Sequence, residues 1–211
     1  MSFLPDFYQR RSQAKSYLKT FYRPGNSAGV VSKQEAERRN ILKGGAFLIF
    51  YNLVEAAARL SIQAVHDQMK REQVSFEDLK ETIRRRVVMS FAKHADSDVH
   101  HTMQDVSVEI VRLLTVEDHF SGNVDAKRLR EIFTMYGIST STDVKRTRNG
   151  SDLLTIKTNR NDLAHGNKTY EEVGRGYSDQ DLLLIGLRST RYIEAILLNV
   201  ESYLKSSDFR K

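Results

Sequence analysis

Apolar side chains recur along the first part of the chain with helical spacing: Phe3, Phe7, Ala14, Leu18 and Phe21 fall on one side of a helix that must end before Pro24-Gly25. Ser32 followed by Glu35 has the form of a capping box. It predicts a second helix that runs through Phe47, Leu48, Ile49, Phe50, Leu53, Val54, Leu60 and Ile62 to about Lys70, apolar enough to be central to a core. Ser75 with Asp78 predicts a third helix through Ile83, Val87, Val88 and Phe91, and residues 95–105 read as a polar loop. Residues 106–114 lack the periodicity that would separate a short helix from a strand. A helix over 125–136, with Leu129, Ile132 and Phe133 on one face, ends at Gly137, and 139–150 reads as a basic loop. Ser151 or Asp152 opens a helix to about His165, where Gly166 is a natural stop, and Ser178 with Asp181 opens a last long helix through Leu183, Leu187, Ile193, Ile196, Leu197, Val200 and Leu204. The sum is an all-α, up-and-down bundle of about five long helices plus short elements. It forms one domain over 1–211, with 1–31 as an N-terminal helix or arm and 32–211 as the helical core.

Charge changes this picture only at the N-terminus. The net charge is +6, and residues 1–43 account for all of it: Arg10, Arg11, Lys15, Lys19, Arg23, Lys33, Arg38, Arg39 and Lys43 face only Asp6, Glu35 and Glu37. A local basic arm suits a polyanion such as RNA, and an uneven but merely solvated helix face would look the same. Lys145, Arg146 and Arg148 add a second basic segment in the 139–150 stretch. There is no Cys, so thiol nucleophiles, thiolate metal sites and disulfides are excluded. The longest apolar run, Ala46 to Tyr51, is too short to cross a bilayer, and the polar N-terminus has no signal-peptide pattern, so a soluble cytoplasmic protein is expected.

The candidate chemistry sits in Arg160-Asn161-Asp162-Leu163-Ala164-His165-Gly166. Cleaving RNA by attack of its own 2′-hydroxyl needs a base, an acid and positive charge on the phosphorane, and no metal or other cofactor. Arg160 offers a permanently charged fork for two phosphate oxygens, His165 exchanges protons near neutral pH, and Asn161 can orient either the phosphate or the imidazole. The same residues could instead simply end a helix, where Arg, His and a following Gly are favoured. Two further Arg-to-His spacings of similar length exist, Arg59 to His66 and Arg112 to His119, but each has Leu after the Arg where Arg160 has the polar Asn161. Asn52, Glu55 and Arg59 form a polar stripe on the otherwise apolar second helix, and Glu55 is a supporting site candidate. His94, Asp96, Asp98, His100, His101 and Asp105 are credible Zn²⁺ or Mn²⁺ ligands, though at no established spacing.

An Arg followed after four to six residues by His, with a polar residue next to the Arg, resembles the motif of HEPN ribonucleases of prokaryotic toxin and defence loci. The resemblance takes in Phe47 to Glu55, Phe120 to Lys127, Tyr136-Gly137 and Tyr170 to Gly174, so it covers most of the chain from about residue 40, without a counterpart for the N-terminal arm. It implies a HEPN-like helical bundle, an RNA substrate and a homodimer that brings two motifs together. An inhibitory antitoxin or defence-complex partner is implied as well. The proton count points to the dimer independently, because one His cannot be base and acid in the same turnover. Where some toxins of this kind carry a Tyr two residues after the His, position 167 here is Asn. A non-catalytic RNA- or protein-binding module and a metal-dependent nuclease built on the His94–Asp105 loop remain alternatives.

Overall fold

The computed structural model describes residues 3–22, 32–94, 103–117, 119–120 and 122–211. Among them the helices are α1 (Phe3–Lys19), α2 (Lys33–Arg71), α3 (Glu81–His94), α4 (Met103–Arg112), α5 (Ala126–Met135), α6 (Val144–Thr147), α7 (Asp152–Ala164), α8 (Tyr170–Arg175) and α9 (Asp179–Lys205). No strand occurs among the described residues, only an isolated antiparallel bridge between Leu79 and Arg210. The fold is all-α, as the apolar periodicity predicts.

Helix α2 is the centre. Ser32 accepts from the Glu35 amide at its start, and Ala46, Phe47, Phe50, Tyr51, Val54 and Ile62 are buried along its length. Among the described residues it is the one helix long and apolar enough to cross a membrane, and half of that apolar window is buried inside the protein. Helices α1, α7, α8 and α9 pack directly on it. α1 is fixed by Phe3, Phe7 and Ala14, so this helix of the basic N-terminal segment takes part in the core packing.

α2 and α8 approach closely enough to require glycine on both. A Cβ on Gly174 would lie 1.8 Å from the Asn40 carbonyl oxygen, and one on Gly44 would lie 2.2 Å from that of Tyr170. Backbone meets backbone there, which only glycine permits. α8 itself falls in the 167–177 stretch, to which the apolar periodicity assigns no element. Its start is a complete capping box, with the Thr169 side chain accepting from the Glu172 amide and the Glu172 carboxylate accepting from the Thr169 amide.

Several boundaries differ from the periodicity-based reading. The Ser75-Asp78 pair starts only a 3₁₀ turn, Phe76–Asp78, and α3 begins at Glu81. The C-terminal tail is the cause, because Phe209 accepts from the Lys80 amide and Lys211 donates to the Asp78 carbonyl, drawing this backbone out of helical pairing. Residues 106–112, ambiguous by periodicity, are helical within α4, and so is Asp105, placed in a loop by its polarity. The 139–150 segment is not a simple loop either. Asp143 accepts from the Lys145 and Arg146 amides and so caps α6, and a 3₁₀ turn over Arg148–Gly150 leads straight into α7, whose Ser151 makes no side-chain cap. Asp152 is buried instead, accepting from Arg188 Nε at 2.7 Å.

Candidate active site

Leu153 and Ile156 are buried on the core side of α7, and Leu163 packs against the same core. Arg160 lies four residues beyond Ile156 and three before Leu163, so it occupies a position of the apolar stripe. Its side chain is accordingly half-buried, and the guanidinium lies 4.7 Å from the centre of the Tyr51 ring on α2. The contact is a cation–π interaction, of roughly 0.5–2 kcal/mol according to how far the charge is desolvated. Arg160 Nη1 donates to Asn161 Oδ1 at 3.0 Å, and Asn161 Nδ2 donates to Asn123 Oδ1 at 3.0 Å.

Among the described residues no carboxylate pairs with Arg160. Several half-buried cations around the core do carry a carboxylate: Arg188 bonds Asp152, Arg39 bonds Asp179, Arg11 bonds Glu194, and Lys157, one turn before Arg160, is taken up by Asp125. Lys43 and Arg130 resemble Arg160 in having no acid among the described residues, but Lys43 donates to the Tyr177 carbonyl and Arg130 to the Asn149 carbonyl and the Tyr192 hydroxyl, whereas the acceptor of Arg160 among those residues is Asn161 Oδ1. Burial alone would raise the Asp125 carboxyl, but the Lys157 contact and the Arg128 amide that it caps hold it below its ordinary value. Arg160 therefore carries a fixed charge on a half-dry ledge with its countercharge missing, an arrangement that an oxyanion would complete.

His165 is the C-cap of α7, exposed, with its amide donating to the Asn161 carbonyl at 3.0 Å. The helix closes as a Schellman turn, in which Asn167 donates to the Asp162 carbonyl at 2.8 Å and Gly166 to that of Leu163 at 3.3 Å. Gly166 has φ of 70°, the left-handed conformation this closure needs. Lys168 Nζ lies 2.7 Å from the Asp162 carboxylate and holds it below its usual range, so the turn after His165 is tied at both ends.

Tyr51 and Asn123, neither of them singled out as a site residue in the sequence, complete the site. Tyr51 is buried, and its hydroxyl accepts from the Val124 amide at 3.1 Å, so the same side chain supports Arg160 and anchors residues 122–124. Gly122 turns that segment with φ of 85°. The sequence signal for Tyr51 was faint: a single polar atom inside the Ala46–Tyr51 apolar run. Glu55 is half-buried one turn further along α2. Burial and the Glu55 charge push the Tyr51 hydroxyl above its ordinary value, while the Val124 amide and Arg160 act the other way. Asn52 and Arg59 on the same stripe are exposed, and Arg59 pairs at 3.5 Å with Glu117, not with Glu55.

The two competing Arg-to-His spacings end in the core. His66 Nε2 and His119 Nε2 lie 2.6 and 2.7 Å from the Tyr136 hydroxyl, with both imidazoles and the phenol buried. Of the proposed metal ligands, Asp96, Asp98, His100 and His101 lie outside the described residues, and no group of three or more His or acidic residues suited to a metal occurs among the described ones. Arg10 and Arg11 are committed to Asp6 and Glu194, and Arg148 approaches Asp152 at 3.7 Å. Lys15, Lys19, Lys145 and Arg146 are exposed and make no ion pair among the described residues. The α1 and α6 basic segments flank the same part of α9, where Glu194 pairs with Arg11 and lines a cleft with Arg146 and Arg191. No hydrogen bond or ion pair among the described residues links them to Arg160. A cleft of about 710 Å³ between α3 and α5 contains none of the motif residues.

An all-helical domain that presents an unneutralised Arg and an exposed His five residues apart on one helix end is a HEPN domain in architecture. The MAE_28990-like HEPN family model matches residues 2–209, and the chain belongs to that family. The match includes α1, for which the motif-based resemblance had no counterpart. Searches of curated proteins and of solved structures give no match to the chain. Family membership places it among domains of nuclease and RNA-binding type.

Proposed function

We propose that the protein is a metal-independent endoribonuclease of a toxin–antitoxin or anti-phage defence system, acting as a homodimer in the cytoplasm. The observation that carries this reading is Arg160: half-buried, held by Tyr51 and Asn161, and lacking a carboxylate partner among the described residues. A guanidinium kept in that state is suited to two non-bridging oxygens of a phosphodiester. Asp125 and Asp162, two acids of the surrounding segments, are themselves paired with Lys157 and Lys168.

In the proposed reaction the 2′-oxygen bonds to phosphorus and the bond to the 5′-oxygen breaks. One His165 takes the 2′-hydroxyl proton and the partner chain's equivalent side chain gives a proton to the departing 5′-oxygen, leaving a 2′,3′-cyclic phosphate and a 5′-hydroxyl. Arg160 balances the charge of the phosphorane, and Asn161 keeps the guanidinium in plane with it. Glu55 supports the site through the Tyr51 side of α2. An antitoxin or a defence partner would restrain the activity by covering this open ledge.

The test is cleavage of single-stranded RNA in excess chelator by the full chain, Arg160→Ala and His165→Ala, with helix content followed by circular dichroism. Wild type should yield cyclic-phosphate ends and each variant should lose cleavage by at least about a hundredfold at unchanged helix content. Mixing wild type with excess His165→Ala chains under subunit exchange should lower the activity per wild-type chain. Cleavage retained in either variant removes the assignment, and activity indifferent to the mutant chains removes the shared site.

A further inference from the structure

The bonds from Arg160 to Asn161 to Asn123 have a fixed polarity. A guanidinium only donates, so the Asn161 atom facing it is the carbonyl oxygen, and the amino group at the other end of that amide must donate onward. Asn123 thus receives through its own oxygen and is left with its amino group unspent. The side chain is exposed, and among the described residues Nδ2 has no hydrogen-bond partner. Neither amide can flip without setting two donors against each other, so the orientation follows from the charge of Arg160 rather than from a choice of atom names.

The segment presenting Asn123 is held from both sides. Gly122 turns the chain before it, and Val124 after it donates to the hydroxyl of Tyr51, whose ring lies against Arg160. One buried phenol therefore sets the position of the guanidinium and of the Asn123 backbone together. We propose that Asn123 is a substrate-binding residue outside the Arg-to-His motif: its Nδ2 donates to a phosphate oxygen of the RNA beside the one held by Arg160, while its Oδ1 steadies Asn161. The inference rests on the ribonuclease reading of the Arg160 site and extends it to a loop between α4 and α5.

The experiment measures binding of the full chain to RNA oligonucleotides that are 2′-O-methylated throughout, which keep every phosphate but cannot supply the attacking hydroxyl. Arg160→Ala should weaken binding. Asn123→Ala should weaken it roughly ten- to a hundredfold, the range for losing one hydrogen bond to a charged acceptor. Asn123→Asp is the discriminating variant, because it keeps an acceptor for Asn161 but turns a carboxylate towards the phosphate. It should bind at least as poorly as the alanine variant. Both should keep the wild-type unfolding temperature within a few degrees, since the side chain is exposed. Wild-type affinity in Asn123→Asp means that the residue only steadies Asn161, and wild-type affinity in Asn123→Ala means that it does neither; each overturns the inference while a weakened Arg160→Ala leaves the ribonuclease reading standing. Unchanged affinity in Arg160→Ala overturns that reading and the inference with it. Equal loss across oligonucleotides of different sequence supports a phosphate contact, and loss confined to one base overturns it.

Discussion

Replacing Gly174 with alanine adds one methyl group where α8 rests on α2. The new Cβ would stand 1.8 Å from the Asn40 oxygen, 2.7 Å from the Asn40 carbon and 2.9 Å from the Gly44 nitrogen, all backbone atoms of α2. Restoring an ordinary contact requires the helices to separate by about 1.5 Å. Overpacking of this kind costs about 1–3 kcal/mol, and backbone that cannot rotate away places this case at the upper end. Alanine's helical preference returns about 0.5–1 kcal/mol, leaving a net loss of about 2 kcal/mol. For a chain of this size that corresponds to a fall in unfolding temperature of roughly 4–8 °C. Thermal unfolding followed by far-ultraviolet circular dichroism reads the effect directly. Gly176→Ala is the control, because its Cβ would meet nothing nearer than the Val173 oxygen at 3.4 Å, and it should unfold within a degree or two of wild type. Gly44→Ala should resemble Gly174→Ala, and the double variant should cost less than the two together, since one separation relieves both clashes. A Gly174→Ala protein as stable as the Gly176→Ala control would refute the close approach.

Charge reversal at Lys15 and Lys19, which leaves the paired Arg10 and Arg11 in place, should weaken RNA binding and flatten its dependence on salt; a salt slope equal to that of wild type would confine α1 to packing. Asp125→Asn keeps the cap on the Arg128 amide but loses the charge facing Lys157. Because the folded Asp125 carboxyl sits below its ordinary value, its contribution is present above about pH 4 and disappears as pH falls through the folded value. Denaturant unfolding should therefore find the variant less stable by about 1 kcal/mol at neutral pH and the difference closing in acid; a gap independent of pH would dissociate Asp125 from this linkage.

Much of the helical layout is legible because caps are local. Ser32 with Glu35, Ser178 with Asp181, Asp125 before α5 and Gly166 after α7 each act through atoms within a few residues. The start of α3 is not legible, since the backbone around Leu79 is claimed by residues 209–211 from the far end of the chain. α8 carried a readable Thr169-to-Glu172 box, but six residues give too little periodicity to register as a helix. At the site, Arg160 and His165 stand out by spacing, whereas Tyr51 and Asn123 gain their places only when α2, the 122–124 turn and α7 converge. The polar test that set Arg59 and Arg112 aside agrees with the buried settings of His66 and His119, whose shared contact with the Tyr136 hydroxyl no local pattern announces.

Tyr51 and Gly44 stand on one continuous helix, seven residues and so about 10 Å apart. The first fixes the guanidinium end of the motif, and the second seats the short helix that follows the imidazole end. Both ends are thus gauged from a common ruler, and placement errors in the surface segments joining the helices do not accumulate between them. Lengthening the 139–143 connection should leave the spacing of Arg160 and His165 untouched, while a single residue inserted into α2 between Gly44 and Tyr51 would turn one reference mark by about 100° relative to the other.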